Sequence, residues 1–286
     1  MSTIKTLERK SMIIRPSGRS TDYIAPSFGY GCLFNCTYCY MKRHKPNGLD
    51  IAKNTNDILY EIGCHAAFAD VEKPNQTHEK FITYDISCNE DFALHAKYHD
   101  WKTIFNWFRT SDNLMGSFAT KYVNADLLDY NPEGRIRIRF SLMPETMSMI
   151  LEPGTSSIVK RINAIDRFID AGYDVHINFS PVIITYDWLV KYRELFEQVN
   201  NNVVNKDKVK CEVIFLTHNK DKHEYNLNNN LQGEHLLWRP ELQEDKISQY
   251  GGENIRYRHD IKSEYIKQWK ELHDQIIPWN TIRYIF

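Results

Sequence analysis

The chain has 286 residues, a formal net charge of −1, 42% hydrophobic residues and 13% aromatic ones. That is enough for one large domain or two small ones with a sizeable core. A charge this close to zero excludes a protein that coats nucleic acid through phosphate contacts over its whole surface, and leaves room for a local basic groove. The opening stretch MSTIKTLERKSMIIRPSGRS is polar and basic, without the apolar segment of a signal peptide, and no apolar run approaches membrane-spanning length. The expectation is a cytoplasmic protein with no membrane partner, in which cysteines are kept reduced.

Strand and helix patterns alternate along the body of the chain. TDYIAPSFGYG reads as a first strand, NTNDILYEIGCHAAFADV as a helix with an Asn or Thr cap, and KFITYDIS as a second strand ending before Cys88. DWKTIFNWFRTS places Trp101, Ile104, Phe105 and Phe108 on one side of a helix, and GSFATKY is a short strand ending at Lys121. RIRIRFSLMP alternates apolar and basic residues up to Ser141 and Pro144. TSSIVKRINAIDRFIDAGY is a helix with a Ser or Thr cap at its start and Gly172 at its end. DVHINFSPVII, DWLVKYRELFEQV and KCEVIFLTH continue as strand, helix and strand, and an Asn-rich loop, NKDKHEYNLNNNLQGE, comes next. A helix near 260–276 and a strand, TIRYIF, close the chain. Such βα alternation predicts a parallel α/β fold with six units, fewer than the eight of a closed barrel, hence a partial (β/α)6 barrel. The expected organisation is a basic extension over 1–21, the partial barrel over 22–219 and a C-terminal extension over 220–286. Cys88, Lys121, Ser141 and Ser180 all fall at or just past predicted strand ends, where parallel α/β folds place their active sites.

The segment GYGCLFNCTYCYMKRH carries Cys32, Cys36 and Cys39 in a C-x3-C-x2-C spacing, flanked by Tyr38 and Tyr40. A structural zinc site takes four ligands, and there is no second cysteine pair here; His44 is the one nearby fourth donor. Thiolates also hold iron–sulfur clusters, and three of them leave one iron open for a cofactor or substrate. Cys64 and Cys211 read as core cysteines, and none of the eleven histidines has ligand spacing. The GGE at 251–253 lies far beyond the barrel pattern and reads as a turn.

The cysteine loop resembles the signature of the radical SAM superfamily. In that superfamily S-adenosylmethionine binds the open iron of a [4Fe–4S] cluster and yields a 5′-deoxyadenosyl radical on one-electron reduction. Within it, the cysteine that ends YDISC, the segments FATKYVNADLL and RIRFSLMP, LEPGTSSIVKRINAIDRFIDAGYDVHINFSPVI with Arg161, DWLVKYRELF and the closing YIKQWKELHDQIIPWNTIRYIF resemble the spore photoproduct lyase family over residues 22–286. The resemblance implies a DNA repair lyase that splits the thymine–thymine spore photoproduct into two thymines. It implies that Cys32, Cys36 and Cys39 hold the cluster and that Cys88 donates a hydrogen atom to the thymine radical. It further implies that Tyr38 and Tyr40 return the radical toward the cofactor, and that Lys121 and Ser141 contact SAM. DNA carrying the lesion and a one-electron reductant such as flavodoxin or ferredoxin are the implied partners.

One position departs from the pattern. After the cysteine the family has Thr-Ser-Asp; this chain has Asn89, Glu90 and Asp91, which puts Glu90 at a cofactor contact. A carboxylate there is able to accept hydrogen bonds from the ribose hydroxyls or the SAM ammonium, or equally to repel a DNA phosphate. A second substrate class, another modified nucleobase, therefore stays open. So does a non-enzymatic iron–sulfur sensor or zinc module, against which the count of three cysteines and the βα pattern argue. In RYRHDIK (256–262), Arg256 and Tyr257 are candidates for phosphate and base contacts, the alternative being a solvated hairpin.

Overall fold

A computed structural model describes residues 3–17, 19–69, 77–247 and 252–286. Its strands are β1 (Ile4–Leu7), β2 (Arg15–Pro16), β3 (Tyr23–Ile24), β4 (Gly29–Gly31), β5 (Leu49–Ala52), β6 (Ile82–Asp85) and β7 (Leu114–Thr120). Next come β8 (Ile136–Ser141), β9 (Asp174–Val182), β10 (Lys210–Phe215), β11 (Thr217–Asn219), β12 (Gln243–Ile247), β13 (Glu253–Tyr257) and β14 (Thr281–Ile285). The helices are α1 (Met41–His44), α2 (Thr55–Phe68), α3 (Phe92–His95), α4 (Trp101–Thr110), α5 (Glu145–Leu151), α6 (Ile158–Asp170), α7 (Trp188–Asn202), α8 (Lys220–Asn228), α9 (Glu234–Leu237) and α10 (His259–Ile276).

The chain forms two compact units: residues 1–33, 45–140 and 164–176, and residues 34–44, 141–163 and 177–286. The expected boundary at 219/220 falls inside the second unit. In the first, strands run in the order β8-β7-β6-β3-β2. β3, β6, β7 and β8 are parallel, and β2 is antiparallel at the edge. Every residue of β8 is buried, as parallel strands covered on both faces must be. Its two arginines are admitted because each meets a carboxylate: Arg137 pairs with Asp174 and Arg139 with Asp85, both at 2.7 Å. Aromatics fill the core beneath, with Phe92 stacked on Phe105 at 5.7 Å and tilted against Phe118 at 5.2 Å. Such pairs add roughly 0.5–1.5 kcal/mol each beyond the area they bury.

In the second unit β9, β10 and β14 are neighbours in the order β14-β10-β9, with β10 and β14 parallel. An antiparallel sheet, β11-β13-β12, lies apart from them. Phe179, Phe196 and Trp269 meet edge to face at 5.1–5.4 Å and anchor α7 and α10.

Several local expectations are corrected. The predicted first strand is two short strands, β3 and β4, in different sheets; Pro26, which has no N–H to give to a ladder, sits between them. The N-terminal extension is paired: β1 runs parallel to β5 and β2 joins β3. Asn54 precedes α2 as expected, but its side chain bonds the Arg9 backbone on both sides (2.7 and 3.1 Å) instead of capping the helix. The Asn-rich loop contains α8, capped by Asn219, whose side chain accepts the Lys222 N–H at 3.1 Å. Arg256 and Tyr257 end β13, while His259 to Lys262 open α10, so RYRHDIK is not a hairpin. Cys211 is buried as expected, and Cys64 is half-buried.

Candidate active site

The cysteine loop begins where β4 ends. Gly31 has a φ of +112°, and a Cβ there would lie 2.5 Å from the Gly48 carbonyl, so only glycine fits. Cys32 and Cys36 are buried, Cys39 is half-buried, and none of the three is in a disulfide. In the first unit, Gly31 N–H donates to the Asn89 carbonyl (3.1 Å) and Leu33 N–H to His95 Nε2 (3.3 Å). In the second unit, Thr37 N–H donates to Leu151 O (2.9 Å) and Thr37 Oγ1 to Gln232 O (2.9 Å). Asn226 Nδ2 donates to Thr37 O (2.9 Å), and Cys39 N–H closes a turn onto Cys36 O (3.1 Å). Loop carbonyls and amides are thus tied down while the cysteines stay as thiols.

Cys88 sits half-buried in the turn between β6 and α3. Asp85, at the end of β6, accepts from Ser87 N–H at 2.9 Å and from Arg139, which pins the strand end. Asp91 caps α3 through Leu94 N–H (3.1 Å) and takes Thr120 Oγ1 (2.7 Å) and Lys121 N–H (2.8 Å), joining the ends of β6 and β7. Glu90 is wholly enclosed: Oε2 accepts from His95 Nδ1 and His99 Nε2, both at 2.9 Å, while buried Oε1 has no hydrogen-bond partner among the described residues. Since Leu33 N–H occupies His95 Nε2, that ring carries its proton on Nδ1. Glu90 therefore anchors the start of the cysteine loop through His95. A Cβ on Gly29 would strike its carboxylate, whose nearest atoms lie 2.3 Å from that position.

Burial pushes the Glu90 pKa up, but the charge of His99 and the hydrogen bonds from His95 and His99 outweigh it and hold it at about 2 against an ordinary 4.5. A depressed carboxyl stabilises the fold above its unfolded pKa, and this contribution is lost as pH falls from 4.5 toward 2. Urea unfolding of the parent and of Glu90→Gln is expected to show a stability gap that narrows by about 2 kcal/mol between about pH 6 and about pH 3. A gap independent of pH would mean the carboxylate is not held by these histidines.

In the second unit the Tyr38 hydroxyl donates to Glu152 Oε1. Glu152 is 2% exposed and pairs with the fully buried Arg161 at 2.8 Å. Burial first, then the Glu152 charge, pushes the phenol pKa well above its ordinary value, so Tyr38 stays protonated. Tyr40 is 44% exposed. Ser141 is buried; its carbonyl accepts from Arg161 (2.8 Å), and its Oγ has no partner among the described residues. The exposed His44 has its ring edge-on to Tyr40. Arg256 pairs with Glu244 at 2.8 Å. Tyr257 is 1% exposed and accepts the Ile184 N–H at 2.9 Å, which leaves no ring face for a base. Gly251 of the GGE lies outside the described residues, and Glu253 opens β13.

The sequence showed no ligand spacing among the histidines, yet the turn from β11 into α8 brings His218 and His223 onto one carboxylate. Glu234 Oε1 accepts from His218 Nε2 at 2.9 Å and from His223 Nδ1 at 2.6 Å, and Trp238 stacks on His223 at 4.0 Å.

Three free thiols within eight residues of one loop have the donor chemistry of an iron–sulfur cluster that leaves one iron open. Among the described residues no histidine or carboxylate forms a ligand group with them. The cysteine loop after an early strand and the cysteine after β6 stand where the sequence resemblance expected them. The model of the family described as spore photoproduct lyase matches residues 2–286. A spore photoproduct lyase of Bacillus subtilis is 31% identical over 70% of this chain and 57% of its own length. One from a Geobacillus species is 28% identical over 72% and 59%. The matched stretch is thus less than two thirds of these relatives. A solved spore photoproduct lyase complexed with dinucleoside spore photoproduct superposes with a TM-score of 0.88 at 22% identity, over 99% of this chain and 82% of that one. A mutant with bound AdoMet and the same dinucleoside gives 0.87 at 20%, over 99% and 82%. The chain belongs to the spore photoproduct lyase family, and its fold is the α/β partial barrel of those structures.

Proposed function

We propose that this chain is a radical SAM lyase that splits the spore photoproduct in DNA into two thymines. The observation that carries the reading is the family match over residues 2–286 in a chain that keeps three thiols on one loop and Cys88 past the end of β6. Relatives are solved with dinucleoside spore photoproduct and with AdoMet. Cys32, Cys36 and Cys39 hold a [4Fe–4S] cluster. Lys121 and Ser141 are the candidate SAM contacts; Glu90, expected beside them, has its carboxylate wholly enclosed against His95 and His99 and acts through the cysteine loop instead. Bound, cluster and SAM supply the one-electron chemistry that takes a hydrogen atom from the lesion.

The residues of the chain do the rest. Cys88 Sγ–H gives its hydrogen atom to the thymine radical left when the methylene bridge breaks, forming a C–H bond and leaving a thiyl. Tyr38 and Tyr40 restore the thiol. The hydrogen atom comes from a phenolic O–H, which breaks as the S–H bond forms and leaves the radical on tyrosine; the Tyr38 hydroxyl is held in place by Glu152 Oε1. Arg256 is the candidate phosphate contact. With its ring buried, Tyr257 instead holds the Ile184 backbone. A flavodoxin- or ferredoxin-type reductant and a cytoplasmic setting complete the reading, and no helix among the described residues is long and apolar enough to cross a membrane.

The second reading is the same machinery on another modified nucleobase, and the Glu90 departure favours it. The test is anaerobic: reconstitute and reduce the protein, add SAM and dinucleotide spore photoproduct, and measure thymine release. Clean repair supports the lyase. SAM cleavage with the lesion intact replaces it by the second reading, and no SAM cleavage overturns both.

A further inference from the structure

α8 is bound to the cysteine loop by Asn226, whose side chain reaches the Thr37 carbonyl at 2.9 Å. One turn earlier on the same face is Lys222. It is 0% exposed, yet its Nζ has no hydrogen-bond partner among the described residues; the Tyr225 ring lies 4.6 Å away. A buried ammonium without an acceptor is costly. The neighbouring carboxylate does not supply one. Glu234 already takes His218 and His223 on Oε1 and Asn226 on Oε2. Burial drives the Lys222 pKa down to about 8, opposed chiefly by Cys39 and Glu234, while a second buried lysine, Lys42, pushes it further down. Through the Asn226–Thr37 hydrogen bond this face of α8 meets the loop between Cys36 and Cys39, and Lys222 Nζ has no acceptor within the described residues. A cluster held by three thiolates is an anion of the kind this spot lacks.

We propose that Lys222 is a positioning residue for the [4Fe–4S] cluster, donating from Nζ to a sulfur at the Cys36–Cys39 side and raising the reduction potential of the cluster. The inference rests on the cluster reading above. The sign comes from charge: reduction adds an electron, and a fixed cation beside the cluster favours the more negative state. The His218–His223–Glu234–Asn226 network serves as the wall that holds α8 and Lys222 against the loop.

The experiment uses the whole chain, grown with 15N-lysine and reconstituted anaerobically. Iron and sulfide content and the EPR signal of the reduced cluster first establish the cluster. Its absence in the parent is a failure of the cluster reading and is distinguishable from a failure of the Lys222 assignment. In the reduced parent, pulsed EPR is expected to show a 15N coupling that disappears in Lys222→Arg, whose guanidinium carries no label. Redox titration of Lys222→Met is expected to show a reduced-to-oxidised ratio about tenfold lower at a given potential, a downward shift of about 59 mV for one electron. Lys222→Arg, which keeps the charge, is expected to stay near the parent. No 15N coupling in the parent, a coupling that survives in Lys222→Arg, or an unchanged potential in Lys222→Met overturns the proposal. Should Lys222→Met fail to take up a cluster, the 15N result alone decides.

Discussion

Replacing Cys88 by alanine is expected to leave SAM cleavage in place and to cut the yield of clean thymine about tenfold or more, a loss equivalent to at least about 1.4 kcal/mol in favour of competing reactions. The reason is bond strength. A thiol S–H is weaker than the C–H bond formed at the thymine methyl, so the transfer runs downhill, and a methyl group offers no comparable hydrogen. Cys88→Ser separates chemistry from packing. The hydroxyl preserves size and hydrogen bonding, but its O–H is far stronger, so serine is expected to behave like alanine. Product analysis by chromatography checks both variants. Parent-like thymine release from the serine variant would make Cys88 a structural residue of the turn that Asp85 and Ser87 hold.

Arg161→Met carries the largest expected cost in stability. Arg161 is fully buried and donates to Ser156 O (2.8 Å), Ser141 O (2.8 Å) and Thr155 Oγ1 (2.6 Å), besides pairing with Glu152. Its removal leaves a buried carboxylate uncompensated, which costs about 3–5 kcal/mol. Removing the pair together, Glu152→Leu with Arg161→Met, is expected to return a good part of that, because two desolvated charges disappear at once. Urea unfolding of the two variants checks this. A single substitution costing under about 1 kcal/mol would show that water reaches Glu152. Tyr38 reports on the same pair, since its hydroxyl rests on Glu152 and the radical role proposed for it is expected to suffer whenever the pair is broken.

Local pattern made much of the molecule legible. The C-x3-C-x2-C loop, the cysteine after a strand, the amphipathic α4 and the Gly172 end of α6 all depend on contacts within a few residues, which composition and spacing encode directly. Where local signals competed, the sequence misled. The asparagines of 219–230 favour loops on propensity, and α8 forms regardless, because Asn219 caps it and Asn226 ties it to Thr37, 189 residues away. Tyr257 carried the right chemistry for a base contact, and packing turned it inward.

By itself, then, the sequence determined the residue types that do chemistry and the strand ends and loops that present them, since these follow from periodicity, capping and covalent spacing. Tertiary structure alone decided which charge meets which. It put Glu90 under His95 and His99, Tyr38 on Glu152, whose partner Arg161 comes from α6, and Lys222 at the cysteine loop behind His218, His223 and Glu234. The Tyr38–Glu152 pairing joins residues 114 positions apart, and burial makes such pairings selective: an ion or a polar atom taken out of water must find its partner wherever the fold brings one.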